Sequence, residues 1–239
     1  MKNLFLFLFL LVVFTSKAQD NRVSGLNSRQ FTKYWKVESE SPDYKVTFQG
    51  DTAEIVSPKG LTLWRKEKMS GKVTIEYDAC VVVESDGDRL SDLNCFWMAS
   101  DPQYPDNLWK REKWRSGIFL NCYSLQLYYL GYGGNHNSTT RFRRYDGDES
   151  GITNPKARPA ILKEYTDAGH LLKPNHWYHI KITNENNRVS YYIDGERLVD
   201  FRDAEPLREG WFGFRTTLSR TRITNFSYEC SSQEVANVH

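Results

Sequence analysis

The chain has 239 residues, with Lys+Arg 32 against Asp+Glu 30 and a formal charge of +2, so bulk charge draws it neither to nucleic acid nor to a membrane surface. At 39% hydrophobic and 14% aromatic it carries enough apolar side chain for one sizeable core. Attraction for an anion therefore has to be local.

Residues 1–18 read as a secretory signal: Lys2, an apolar run from Leu4 to Phe14, then Ser16-Lys17-Ala18 as a small-residue cleavage site. The run is too short for a membrane span. The expectation is a periplasmic or secreted protein with no membrane span once the leader is cut, and a single domain over 19–239. No linker divides it. The four cysteines, Cys80, Cys95, Cys122 and Cys230, are too widely spaced to fix a pairing. With no Cys-x-x-Cys and no His-Glu-x-x-His, neither a metal nor a cofactor is expected.

Arg29 to Glu40 does not distinguish a helical turn from an irregular strand. Short strand-like runs follow at Tyr44–Phe48, Ala53–Val56 and Leu61–Trp64, separated by turn residues, and Val73–Glu84 is a longer β-branched run. Ser85-Asp86-Gly87-Asp88 ends it without the spaced oxygen ligands of a calcium loop. Leu93–Ala99 puts Asn94, Phe96 and Met98 on one face and Leu93, Cys95 and Trp97 on the other. Asn94 there either pins a buried backbone group or faces a cleft.

The loop from Asp101 to Ser116 interleaves Tyr104, Trp109 and Trp114 with Lys110, Arg111, Lys113 and Arg115. Two readings stand: aromatic platforms for sugar rings beside acid-attracting cations, or a loop pinned by its aromatics with a charged outer face. Gly117–Leu130 is the most strand-like segment. It feeds Gly131-Tyr-Gly-Gly-Asn-His-Asn137, where glycines let Tyr132, Asn135 and His136 project, and then Thr139–Tyr145, with Arg141, Arg143 and Tyr145 on one face and Phe142 on the other. That face is an anion-recognition surface or a solvated edge strand. Gly147 to Pro174 reads as a long excursion over the sheet, with His170 near its end as a lid residue or a structural one. His176–Thr183, Arg188–Ile193, a turn at Asp194-Gly195, Arg197–Phe201, Trp211–Thr216 and Thr221–Glu229 complete an all-β chain. Phe212 and Phe214 share a core face, leaving Trp211 and Arg215 for a groove.

The blocks Trp177-Tyr-His-Ile-Lys-Ile182, Tyr191-Tyr-Ile-Asp-Gly195 and Gly210-Trp-Phe-Gly-Phe-Arg215 resemble the C-terminal half of concanavalin-like lectin/glucanase domains. That resemblance implies a jelly-roll sandwich of two antiparallel sheets. The Tyr-Gly-Gly-Asn…Thr-Thr-Arg-Phe-Arg-Arg-Tyr block further resembles exported proteins of bacterial polysaccharide-utilisation loci, in particular marine flavobacterial dehydratases and lyases acting on uronic-acid oligosaccharides such as those of ulvan. The Glu-x-Asp-x-x-Glu spacing of glycoside hydrolases of this fold is absent, as are the Gln-Ile-His and Arg-Ser-Glu-Leu-Arg motifs of alginate lyases.

The implied activity is a carbon–oxygen lyase reaction: β-elimination on an acidic oligosaccharide or polysaccharide. Removing the C5 hydrogen builds charge on the neighbouring carboxylate, so the site needs a cation or amide for that group, a base for C5 and an acid for the oxygen leaving C4. Arg143 and Arg215 are expected to bind the carboxylate, with Arg141 in reserve and Asn94 as amide partner. His136 and Tyr132 are expected to move protons, with Tyr145 as the alternative phenol; against this, His136 caps the turn and Tyr132 packs over it. Asn135, Trp211, Trp114 and His170 are the remaining expected substrate contacts. A free C4 hydroxyl would make the enzyme a dehydratase giving an unsaturated terminal uronate, and a leaving sugar would make it a polysaccharide lyase. The alternative from another class is a non-catalytic module binding acidic carbohydrate.

Overall fold

Period-two alternation carries the architecture: successive side chains of each strand point to opposite faces, so apolar alternate residues line one face of each of two antiparallel sheets. The structure is a computed structural model and describes residues 23–231; the leader-like stretch 1–18 lies outside the described residues. The front sheet runs β11 (Lys163–Tyr165), β10 (Thr139–Asp146), β9 (Gln126–Gly133), β8 (Leu93–Ser100), β15 (Glu209–Thr216), β5 (Leu61–Arg65) and β2 (Trp35–Ser39), with β6 (Met69–Ser70) also on β15. The back sheet runs β14 (Glu196–Arg202), β13 (Arg188–Ile193), β12 (Tyr178–Glu185), β7 (Lys72–Val81), β16 (Ser219–Ser231), β4 (Thr52–Ser57) and β3 (Lys45–Gln49), with β1 (Val23–Ser24) on β16. This is the expected two-sheet jelly roll.

The core lies between the sheets. Phe212 and Phe214 from β15 meet Tyr77 of the back sheet, and Trp97 from β8 packs on Tyr191 with centroids 6.0 Å apart. Removing such a buried ring costs about 3–5 kcal/mol. A second apolar layer covers part of the front sheet's outward face, where Leu108, Cys122 and Leu125 pack on Trp64, Phe96, Leu127 and Trp211. Cys80, Cys95, Cys122 and Cys230 are all free thiols.

In four places the structure settles or departs from the sequence reading, each for a local reason. Phe31–Tyr34 is one helical turn and Trp35–Ser39 a strand, so the opening segment is both alternatives in succession. Leu120–Ser124 is a 3-10 turn and the strand begins only at Gln126, because this apolar stretch packs onto the front sheet rather than joining it. Met98 points into the core beside Trp97, not outward with Phe96. Its backbone is left-handed (φ 52) at a register shift between Trp97 and Ser100, and a bulge of this kind re-aims one side chain. Finally, the 147–174 excursion contributes β11 to the edge of the front sheet and short helical turns, and none of its residues lines the cleft described below.

Candidate functional site

Two neighbouring rungs of the front sheet build a floor on its outward face. In the first, Thr62, Arg215, Asn94, Gly131 and Arg141 stand directly opposite one another across β5, β15, β8, β9 and β10. In the second, Trp64, Gly213, Phe96, Tyr129 and Arg143 do the same. Side chains so paired start about 4.5–5.5 Å apart at Cβ, close enough to act on one small ligand. Gly131 leaves a gap in the first rung, and the Tyr129 hydroxyl leans into it, where any Cβ at position 131 would collide with it. The result is a cleft of about 370 Å³, flanked by Phe119 and Tyr123 and by Arg89, Asp92 and Asn135.

The cations of this cleft are not equivalent. Arg141 pairs with Glu164 at 2.5 Å, and Arg89 donates to Asp92 at 2.5 Å and to the Thr217 carbonyl at 2.8 Å. Among the described residues, Arg143 and Arg215 have no carboxylate within ion-pair distance; Arg143 donates to the Pro159 carbonyl instead. Arg215 is only 3% exposed, donates to the Gly117 carbonyl at 2.6 Å and lies over the Phe119 ring at 5.5 Å. Its hydrogen bonds go to neutral oxygens, while the Glu38 carboxylate feels its charge from a distance and Glu40 lines the same cleft, so a ligand anion would meet a guanidinium with no hydrogen-bonded carboxylate.

What holds Arg215 is itself held. Gly117 has a left-handed backbone (φ +69), and a Cβ there would sit 2.6 Å from the Glu40 amide nitrogen, so the chain crosses β2 at a distance only glycine allows. Glu38 accepts from the Gly117 amide at 3.4 Å and from Arg115 at 2.9 Å. Arg115, fully buried, also donates to the Leu108 carbonyl at 2.7 Å and stands 3.8 Å from Asp101, which Arg111 clamps at 2.7 Å. Burial pushes the Glu38 carboxyl up against the pull of Arg115. The 101–125 segment is thus pinned by a buried charge network as well as by Trp109 on Trp211, whereas the expected pinning by aromatics placed all the cations on an outer face.

Burial pushes the Tyr129 phenol well up, and the Asp92 carboxylate adds to this, outweighing Arg215 and Arg143. Tyr123 is raised by burial too, against Arg158 and Arg143. Both phenols are therefore proton donors in the resting cleft. Among the described residues no group of His, Cys, Asp and Glu is arranged to hold a metal ion, and no helix is long and apolar enough to cross a membrane.

Five of the expected site residues come together here: Arg215, Arg143, Arg141, Asn94 and Asn135. Six do not. His136 is exposed on a left-handed turn (φ 58) and lies outside the cleft lining. Tyr132 has the opposite parity to Gly131, so it points into the core, donates to the Leu171 carbonyl at 3.3 Å and packs edge-on to Tyr178. Tyr145 is on the correct sheet face but is sealed under Tyr123, and its buried hydroxyl has no hydrogen-bond partner among the described residues. Trp211 is covered by Trp109, its indole N–H donating to the Lys66 carbonyl at 3.1 Å. Trp114 stays exposed beside Arg111, and His170 is held by Asp167 and Glu196 on another side of the molecule.

Sequence reading missed Tyr129, Tyr123, Phe119, Arg89 and Asp92. The signal for Tyr129 was present, because it shares parity with Gly131 while Tyr132 does not.

Similar folds occur among solved structures. One is a protein of unknown function with a galectin-like fold from Bacillus subtilis (15% identity, TM-score 0.66, covering 84% of this chain and 91% of that one). Another is the carbohydrate-binding module CBM66 from Bacillus subtilis (16% identity, TM-score 0.53, 82% of this chain and 94% of that one). A third is described as a native glycosidic hydrolase (8% identity, TM-score 0.55, 89% of this chain and 97% of that one). At these identities the likeness is one of fold: a galectin-like jelly roll whose solved neighbours include a carbohydrate-binding module and a glycosidase. No curated protein matches the sequence. Residues 55–226, which hold most of both sheets and most of the cleft, match the family described as a domain of unknown function, DUF6250, and the chain belongs to that family.

Proposed function

We propose that the cleft binds an acidic saccharide, with Arg215 and Arg143 taking the carboxylate of a uronic acid, in a protein that works after export. The carrying observation is the pair of guanidiniums without carboxylate partners on two adjacent rungs, beside an amide and an aromatic floor. Sugar sites combine these elements: polar groups fix the ring hydroxyls and aromatics cover its apolar face. Titration of the protein with glucuronate- and galacturonate-containing oligosaccharides, followed by NMR, tests the reading. Binding that disappears in Arg143→Ala and Arg215→Ala supports it; neutral and acidic oligosaccharides binding alike would sink it.

A second reading, favoured by the Tyr129 hydroxyl, is β-elimination on the same ligand. A phenol kept protonated by burial at the floor of the cleft is placed to give its proton to the oxygen leaving C4. The C5 proton would pass to a base, for which the cleft lining offers the carboxylates Asp92 and Glu40, as the C4–C5 double bond forms. Absorbance at about 235 nm on mixing with acidic oligosaccharides separates the two readings, since only elimination produces the conjugated uronate. A rise lost in Tyr129→Phe with binding retained supports elimination, whereas a flat trace with measurable binding leaves a binding module.

A further inference from the structure

At one end of the cleft the Asp92 carboxylate orients two side chains and leaves each with one polar atom unfilled. Its Oδ1 accepts from Asn94 Nδ2 at 3.2 Å, and its Oδ2 accepts from Arg89 Nη1 at 2.5 Å and from the Ser91 hydroxyl at 3.0 Å. An ionised carboxylate is an acceptor only, so the Asn94 amide is fixed with its nitrogen toward Asp92 and its oxygen turned away. Among the described residues that oxygen, on a residue only 6% exposed, has no donor, and Arg89 Nε is likewise buried without an acceptor. Both residues line the cleft. Leaving a buried acceptor empty is costly, so the arrangement selects for a partner that brings a donor with it.

We infer that Asn94, held by Asp92, is a specificity-determining residue that reads a free hydroxyl next to the ligand carboxylate. The unfilled groups are one acceptor and one donor, which is the hydrogen-bonding capacity of a hydroxyl. Its position follows from the ladder: Asn94 stands directly opposite Arg215, so the hydroxyl subsite adjoins the carboxylate subsite across one strand spacing of about 4.8 Å. A carboxylate and a hydroxyl on adjacent carbons span that gap. In a pyranuronate the matching group is the C4 hydroxyl, which is free only where no further sugar is attached there. The ligand class is then a hydroxy acid end, rather than a sulfate ester or an internal uronate of a 1,4-linked chain. Asp92 positions and Asn94 reads.

This inference rests on the acidic-saccharide reading of the cleft, and the experiment separates the two. Methyl glucuronide and its 4-deoxy analogue, which lacks the donor but adds no bulk, are titrated into wild type and Asn94→Ala by NMR. Wild type is expected to bind the 4-deoxy compound about tenfold more weakly, and the variant to bind both compounds equally and weakly. Equal affinity of wild type for the two compounds, as would follow if a resident water fills the Asn94 oxygen, overturns the inference while leaving the cleft an acid-binding site. Discrimination that persists in Asn94→Ala also overturns it. Failure of wild type to bind either compound overturns the underlying reading. The wild-type comparison stands even if the variant does not fold.

Discussion

Arg215 and Arg143 differ from the other arginines of the cleft in what they touch, and that difference carries the functional reading. Arg141 spends its fork on Glu164 and Arg89 on Asp92, whereas Arg215 and Arg143 are held by carbonyls. A lysine at 215 would keep the charge but lose the planar fork that holds the Gly117 carbonyl while facing a ligand. Arg215→Lys is therefore expected to weaken acidic-saccharide binding by about tenfold or more, read by NMR titration. A similar affinity in the variant would remove Arg215 from the site. His136→Ala and Tyr132→Phe are expected to leave affinity within about twofold of wild type, since surface changes and the loss of one long hydrogen bond are small perturbations away from the cleft. A loss of affinity in either variant would place the Gly-rich turn in the binding site.

At the scale of elements, the 101–125 segment and the β8–β9–β10–β15 floor make one device. The segment reaches the sheet through Arg115, whose guanidinium lies between Glu38 and Asp101 with no exposure to solvent. Deleting one member of a buried ionic group strands the others, which costs about 3–5 kcal/mol. Arg115→Ala should show that loss in urea unfolding and should weaken ligand binding as well, because Gly117 and hence Arg215 lose their support. Retained stability would mean that the apolar layer of Leu108, Cys122 and Leu125 suffices to hold the segment. The same scale explains Met98. One left-handed residue in β8 turns an outward position inward, a change that alternation alone has no means to signal.

At the scale of the molecule, His170 ties the excursion after β10 to the back sheet. Its Nδ1 meets Asp167 at 2.8 Å, its Nε2 meets Glu196 at 3.1 Å, and its ring stacks on Tyr165 at 4.1 Å. The hydrogen bond to Asp167 above all raises the imidazole pKa, burial opposes it, and Glu196 adds to the rise. Because the folded value lies above the unfolded one, the protonated form stabilises the fold. That contribution is complete below the unfolded value of about 6.5 and is lost as pH rises through the raised folded value. Thermal unfolding is thus expected at a higher temperature near about pH 6 than near about pH 8, with the part due to this residue absent in His170→Gln. An identical pH dependence in the variant would show that other groups set it. The clamp holds His170 outside the cleft lining, and the excursion braces the sheet edge through β11 while its Pro159 carbonyl meets Arg143.

Sequence by itself determined the sheets and most of the recognition groups. Period-two alternation is a local property of the chain, so the inward Phe212 and Phe214, the outward Arg141 and Arg143, and Arg215 opposite the core were all legible from parity. Register between strands is not local. Only the paired sheet set Arg215 beside Asn94, Asn94 beside Gly131 and Gly131 beside Arg141, turning four residues from four strands into one floor. Tertiary packing then decided which groups of correct parity stay open: Tyr145 and Trp211 are sealed beneath the 101–125 segment, and Tyr129 is left at the surface of the cleft. The Gly-rich turn was conspicuous in sequence for its histidine and glycines, yet most of its side chains face solvent or the core. Chemistry-bearing residue types mark a site only where the fold points them at a common space.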